Sequence, residues 1–218
     1  MARNKKYGMI INLNKCLGCK TCTIACNTEN SVLTTKTWNV VLDTIKNDYP
    51  DYKRKFVPRP CMHCDKPPCV DVCPTGASNK DENTGIVSVN HKKCIGCRSC
   101  LSECPYEARV FNWRKPEKMI SENPVVPVRR IGVVEKCTFC FHKIRDAEKN
   151  NLQAGTTIKN TDNQEVVSPA CVCECIGKAR YFGDLNDPES EVAVLLKNNK
   201  YTRLAEKAET EPNVYYIG

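Results

Sequence analysis

Sixteen of the chain's 17 cysteines fall into four tetrads of closely related spacing. Cys16, Cys19, Cys22 and Cys26 form CxxCxxCxxxC, and Cys94, Cys97, Cys100 and Cys104 repeat it. Cys61, Cys64, Cys69 and Cys73 widen the middle gap, while Cys137, Cys140, Cys171 and Cys175 keep the CxxC and CxxxC ends around a long insertion. Thiolates at this density serve disulfides, zinc or iron-sulfur clusters. Disulfides are disfavoured, because cysteines three apart in one tight loop rarely meet bridge geometry and the chain is not a small secreted domain. Zinc closes its tetrahedron with two CxxC pairs or with histidines, of which there are only His63, His91 and His142. It has no use for the third cysteine of a repeated triplet.

A close triplet with a fourth cysteine beyond it is the pattern of two-cluster bacterial ferredoxins. There the triplet binds one 4Fe-4S cluster and the fourth cysteine, often followed by proline, ligates the other. Cys73-Pro74 and Cys104-Pro105 fit, and Gly18 and Gly96 suit a loop whose N–H groups approach sulfur closely.

Other segments must position these loops. Residues 7–13 and 85–89 read as short strands entering the first and third tetrads, the latter after a turn at 81–85. Residues 108–111 and 179–182 suit small hairpins after the third and fourth. Residues 31–56, with Trp38, read as a surface hairpin, 115–130 as a proline-bearing linker and 152–168 as an exposed loop. Asp187-Pro188 marks a helix start, with Val192, Leu195 and Leu196 on one apolar face. Residues 212–217 form an extended tail that docks on a partner or on its own domain.

Composition sets the bounds. With 218 residues, 41% hydrophobic but only 7% aromatic, the chain needs help from bound groups to hold a core. Its densest apolar run, 192–196, is far short of the roughly 20 residues of a membrane span, and residues 8–13 are too short for a secretory signal. No direct span and no targeting segment of its own are expected. The formal charge of +8 counts cysteines as neutral. Sixteen thiolates around four cores of about two positive charges each bring the loaded chain close to neutrality. This weakens a nucleic-acid reading, and Lys15, Lys20, Lys92, Lys93, Arg98, Lys136, Lys143 and Lys178, beside the cysteines, become candidate counter-charges. No nucleotide loop or nucleophile motif is present, and His63 is read as tuning a cluster or satisfying backbone. The expectation is a non-catalytic electron carrier, with a free polyferredoxin serving soluble enzymes as the alternative.

The chain resembles the four-cluster electron-transfer subunits of the molybdopterin oxidoreductases, the family of dimethyl sulfoxide, polysulfide, tetrathionate and arsenate reductases. The likeness rests on residues 15–19 (KCLGC), 61–64 (CMHC), 67–69 (PPC), 73–77 (CPTGA), 136–140 (KCTFC) and 183–188 (GDLNDP). It implies four 4Fe-4S clusters with interleaved ligands: Cys16, Cys19, Cys22 with Cys175; Cys137, Cys140, Cys171 with Cys26; Cys61, Cys64, Cys69 with Cys104; and Cys94, Cys97, Cys100 with Cys73. It implies an α+β fold of two pseudo-symmetric two-cluster ferredoxin units, with small hairpins, short helices and long loops. The outer unit is 1–30 plus 131–185 and the inner 57–115, with a 31–56 insertion, a 116–130 linker, and a C-terminal helix and tail at 186–218. The implied partners are a large molybdopterin-containing catalytic subunit and an integral-membrane quinone-binding subunit. The implied setting is a membrane-associated complex of anaerobic respiration. Its extracytoplasmic face is favoured by co-export with a signal-bearing partner, and the cytoplasmic face is the alternative. Asn27 and Ile176 stand where proline often follows the fourth cysteine, which removes stiffening from the outer unit. Cys173 leaves two registers for the fourth tetrad, with Cys171 preferred because CxxxC recurs in every tetrad.

Overall fold

The computed structural model describes residues 5–33, 35–47, 50–114, 123–126, 129–150, 155 and 167–218. Most of 115–130 and of 152–168, and the linker and loop expected there, lie outside the described residues. Strands alternate with tetrads. Strand β1 (Tyr7–Asn12) enters the first tetrad and β2 (Val40–Lys46) follows it; β3 (Lys53–Arg59) and β4 (Ser78–Lys80) flank the second. Strands β5 (Val87–Val89) and β6 (Arg109–Phe111) flank the third, and β7 (Val134–Lys136) and β8 (Arg180–Asp184) the fourth. Each outgoing strand pairs antiparallel with the next incoming one: β2 with β3, β4 with β5, β6 with β7, and β8 with β1. The last pair joins the two ends of the cysteine-bearing region, Tyr7 lying opposite Asp184 and Ile11 opposite Arg180.

The tail 212–217 docks on its own domain. Its strand β10 (Val214–Ile217) lies parallel to β1, with Met9 opposite Val214, and β9 (Tyr201–Thr202) completes the sheet in the order β8-β1-β10-β9. Strand β1 is therefore paired on both edges and covered on both faces, which is why it is an unbroken apolar run rather than an alternating one. Tyr7, Met9 and Ile11 enter the main core with Phe139 and Phe182, and Ile10 meets Val192, Tyr215 and Ile217 on the other face, as the two-residue period of a strand requires.

Among the described residues the α-helices are short. They are α1 (Thr21–Glu29), α2 (Pro68–Asp71), α3 (Ser99–Ser102), α4 (Phe141–Lys149), α5 (Ala170–Cys173) and α6 (Glu191–Asn198). Helix α1 packs on α5 and α2 on α3, which brings the first tetrad to the fourth and the second to the third. Helix α6 begins three residues later than Asp187-Pro188 suggested. Ser190 is the N-cap, its Oγ accepting from Ala193 N at 3.2 Å, while Asp187 and Pro188 form the preceding turn and Asp187 Oδ1 accepts from Glu189 N at 3.1 Å.

Two other expectations change. Asn27 does not loosen its unit: α1 runs on through it, where proline would remove a helical hydrogen bond, and its Nδ2 donates to Lys36 O at 2.9 Å. Residues 40–59 do form a hairpin, but Trp38 is buried before it, donating to Glu135 at 3.2 Å under the Arg129 guanidinium.

The third position of the CxxC that opens each tetrad has positive φ: Gly18 (67°), His63 (44°), Gly96 (73°) and Phe139 (54°). A side chain in that conformation costs about 1–2 kcal/mol. His63 and Phe139 are fully buried and stack at 3.8 Å, and Val87 N donates to His63 Nδ1 at 3.1 Å, so tertiary contact replaces glycine in two loops. At position 96 glycine is required twice over, because a Cβ would stand 2.3 Å from Gly132 O. Gly96→Ala should lower stability by about 3 kcal/mol or more, read as faster bleaching of the visible absorbance in denaturant.

Candidate iron-sulfur site

The sixteen tetrad cysteines converge in four groups, each drawn from two tetrads. Cys16, Cys19, Cys22 and Cys175 line one cavity. Cys61, Cys64, Cys69 and Cys104 line another, and Cys73, Cys94, Cys97 and Cys100 a third. Cys26, Cys137, Cys140 and Cys171 are all buried and face one another, with Asn30 Nδ2 donating to Cys140 Sγ at 3.6 Å and Cys26 Sγ at 3.8 Å.

The donor sets suit a 4Fe-4S cluster. No carboxylate or imidazole lines any of the three cavities, and soft thiolates select iron-sulfur groups, zinc or copper. A single zinc ion would need its sulfur ligands gathered at about 2.3 Å from one point. Among the described residues no three such ligands converge on a single-ion site.

Loop geometry aims donors at sulfur. Cys73 Sγ accepts from Ser78 N at 3.3 Å, Cys137 Sγ from Phe139 N at 3.4 Å and Cys175 Sγ from Ala179 N at 3.3 Å. Thr21 and Ser99 hydroxyls donate to Cys19 and Cys97 at 3.3 and 3.6 Å. Burial pushes the Cys64 and Cys137 thiols up to about 12. At Cys73 burial also raises the pKa, but donors from Ser78, Thr75 and Ala77 outweigh it and bring the value down to about 7.

Two residues not singled out from sequence hold central positions. Arg109 donates to Cys69 Sγ at 3.0 Å and to Ser78 Oγ at 2.9 Å. Arg180 donates to Cys22 Sγ at 3.4 Å, Cys171 Sγ at 3.7 Å and Asn39 Oδ1 at 2.9 Å. The available signal was a repeated Ala-Arg ending five residues after Cys104 and Cys175. Of the eight basic residues named from sequence, Lys136 alone is buried; Lys143 is half-buried and the other six are exposed. Lys15 turns outward to the Tyr181 hydroxyl at 2.7 Å, and Lys143 lies 4.0 Å from Glu29.

His63 is held neutral: burial, then Lys136 and Arg109, push its pKa well below the usual imidazole value. His142 has a carboxylate companion that sequence did not reveal, Glu29 at 2.7 Å, which ties α4 to α1. Cys173 lies outside all four groups, exposed on an open groove beside Thr21, Ile24 and Lys143, its Sγ donating to Ser168 O at 3.4 Å.

The family model described as a 4Fe-4S dicluster domain matches residues 52–157. The chain is 41% identical to the iron-sulfur cluster-binding subunit of menaquinone reductase from Nitratidesulfovibrio vulgaris, over 97% of this chain and 88% of that one. It is 41% identical to a selenate reductase subunit from Mesobacillus selenatarsenatis, over 96% and 70%. It is 34% identical to the iron-sulfur subunit of the arsenate respiratory reductase from a Shewanella species, over 97% and 96%.

Proposed function

The chain belongs to the family of 4Fe-4S iron-sulfur subunits of reductase complexes, and from that premise we propose that it binds four clusters and relays single electrons within such a complex. The relay runs between a large molybdopterin-containing catalytic subunit and an integral-membrane, quinone-linked subunit. The chain itself transforms no substrate. Its place is on a membrane-associated complex, on the extracytoplasmic face if a signal-bearing partner carries it across. Among the described residues no helix is long and apolar enough to cross a membrane.

The observation that carries this reading is the convergence of sixteen thiols into four groups. Cluster a is assigned to Cys16, Cys19, Cys22 and Cys175, and cluster b to Cys26, Cys137, Cys140 and Cys171. Cluster c is assigned to Cys61, Cys64, Cys69 and Cys104, and cluster d to Cys73, Cys94, Cys97 and Cys100. When bound, each supplies one-electron redox chemistry at a potential set by hydrogen bonds, charge and solvent exposure. The pairings a with b and c with d define an outer unit from both ends of the chain and an inner unit between them. Groups a and d each have one exposed cysteine, Cys19 and Cys97. Beside them Leu17 is 62% exposed, Ile176 66% and Ile95 66%. An apolar rim around an accessible cysteine gives a partner a surface to cover while bringing its own redox group close.

Iron and acid-labile sulfide measured on anaerobically purified protein should reach about sixteen of each per chain; about eight irons, or zinc instead, defeats the four-cluster reading. Co-purification should recover a large oxidoreductase subunit. Leu17→Glu and Ile95→Glu should each weaken a different partner contact at unchanged iron content. A stable monomer with no such partner favours the free polyferredoxin. Cys171→Ser should lose about four irons, whereas Cys173→Ser should lose none; the reverse result moves the fourth-tetrad register to Cys173.

A further inference from the structure

Buried cations lie between the four thiol groups, one at each junction. Arg180, 3% exposed, reaches Cys22 of the first group with one Nη and Cys171 of the second with the other. Arg109, 5% exposed, bonds Cys69 of the third group and faces Cys100 of the fourth. Lys136, 2% exposed, donates to the carbonyl of Cys137 in the second group at 2.7 Å and to that of Val87, which lines the third cavity, and it faces Cys69 there.

Among the described residues no carboxylate pairs with the charge on these side chains. The ion pairs among the described residues include none of the three. Arg109 and Lys136 are direct cross-strand partners on β6 and β7, an arrangement that destabilises a strand pair when the charges are alike. Arg109 Nε is buried without any hydrogen-bond partner, and its residue lines the third cavity. Arg129 is the contrast: equally buried, it is matched by Glu135 at 2.8 Å. A buried cation with no counter-charge is heavily penalised. Among the described residues the anions that face Arg180 and Arg109 are the cysteine thiolates and whatever those thiolates hold.

We propose that Arg180, Lys136 and Arg109 are shared counter-ions, each setting the reduction potentials of the two clusters on either side of it. The inference rests on the four-cluster reading. An added electron makes a cluster more negative, and a fixed cation favours that state in both neighbours. One side chain thus keeps two adjacent potentials high together.

The test is a redox titration followed by electron paramagnetic resonance on anaerobically purified holoprotein. Arg180→Met, Lys136→Met and Arg109→Met should each lower two of the four midpoint potentials, by at least tenfold in the one-electron equilibrium, about 59 mV. The overlap identifies the arrangement without assigning signals. The Arg180 and Lys136 variants share one shifted potential, the Lys136 and Arg109 variants share another, and the two arginine variants share none. Potentials that stay in place, shift singly or shift all together overturn the proposal. If a methionine variant loses iron, Arg180→Lys, Arg109→Lys and Lys136→Arg should restore it; charge-keeping variants as defective as methionine also overturn the proposal. Fewer than four clusters in the unmodified chain defeats the underlying reading instead.

Discussion

A chain ending at Glu209 should fail to accumulate as soluble, iron-loaded protein. The lost segment includes β10, whose four side chains are all buried. At about 1.5–3 kcal/mol for each large apolar side chain, their burial contributes about 6–12 kcal/mol, which rivals the whole stability of an ordinary domain. The segment also ties distant parts together. Asn213, fully buried, receives Met9 N on its carbonyl at 3.0 Å and donates its own N–H to Met62 O at 2.9 Å. Its side chain donates to His63 O at 2.8 Å and Asp65 Oδ1 at 3.0 Å, and Lys66 N donates to Thr210 O at 3.1 Å. Tyr216 OH reaches Pro58 O at 2.8 Å. The tail thus clamps the second cysteine loop onto β1. Asn213→Ala isolates the clamp, because it leaves the His63 carbonyl and Asp65 short of a donor, with an expected loss of about 2–4 kcal/mol. Iron content and the denaturant rate of bleaching measure both variants. A truncated chain with full iron and unchanged bleaching would show that the tail is dispensable.

Glu135→Gln should destabilise the protein by about 3–5 kcal/mol, the usual effect of removing one partner from a buried ion pair. Glu135 and Arg129 are 2% and 5% exposed, and their pair is 2.8 Å long. Glu135 also accepts from Asn112 and from Trp38 at 3.2 Å, and Arg129 donates to Ser31 O at 2.8 Å. The network therefore ties the connection between the first two tetrads to the β6–β7 pair. Without the carboxylate the guanidinium remains desolvated beside a neutral amide. Combining Glu135→Leu with Arg129→Met should cost less than the sum of the single changes, because each single change already removes the same ion pair. Denaturation midpoints of the four proteins close the cycle, and simple additivity would show that the pair is not coupled.

The chemistry was legible because it depends on residue type and local spacing. Four similar tetrads define four loops whatever the rest of the chain does, and a CxGC loop announces its positive φ through glycine. The same conformation at His63 and Phe139 carries no such mark, because it is held by their stacking across 76 positions of sequence. Residues 7–13 were recognisable as a strand from their apolar run. Their parallel partner was not, since residues 212–217 fit either a partner's surface or the chain's own sheet until β10 is seen along the second edge of β1.

Sequence alone determined which atoms are available to bind iron, since cysteine count, spacing and the shortage of histidine are local facts. Tertiary structure decided which tetrads meet, through the packing of α1 on α5 and α2 on α3 and the pairing of β8 with β1. It also decided which charges matter. Lys15, Lys93 and Lys136 each precede the first cysteine of a tetrad, yet only Lys136 is buried. The physical reason is that desolvation depends on what packs over a side chain. For Lys136 the cover comes from β5, β6 and the second cysteine loop, segments 25 to 75 residues away in the chain.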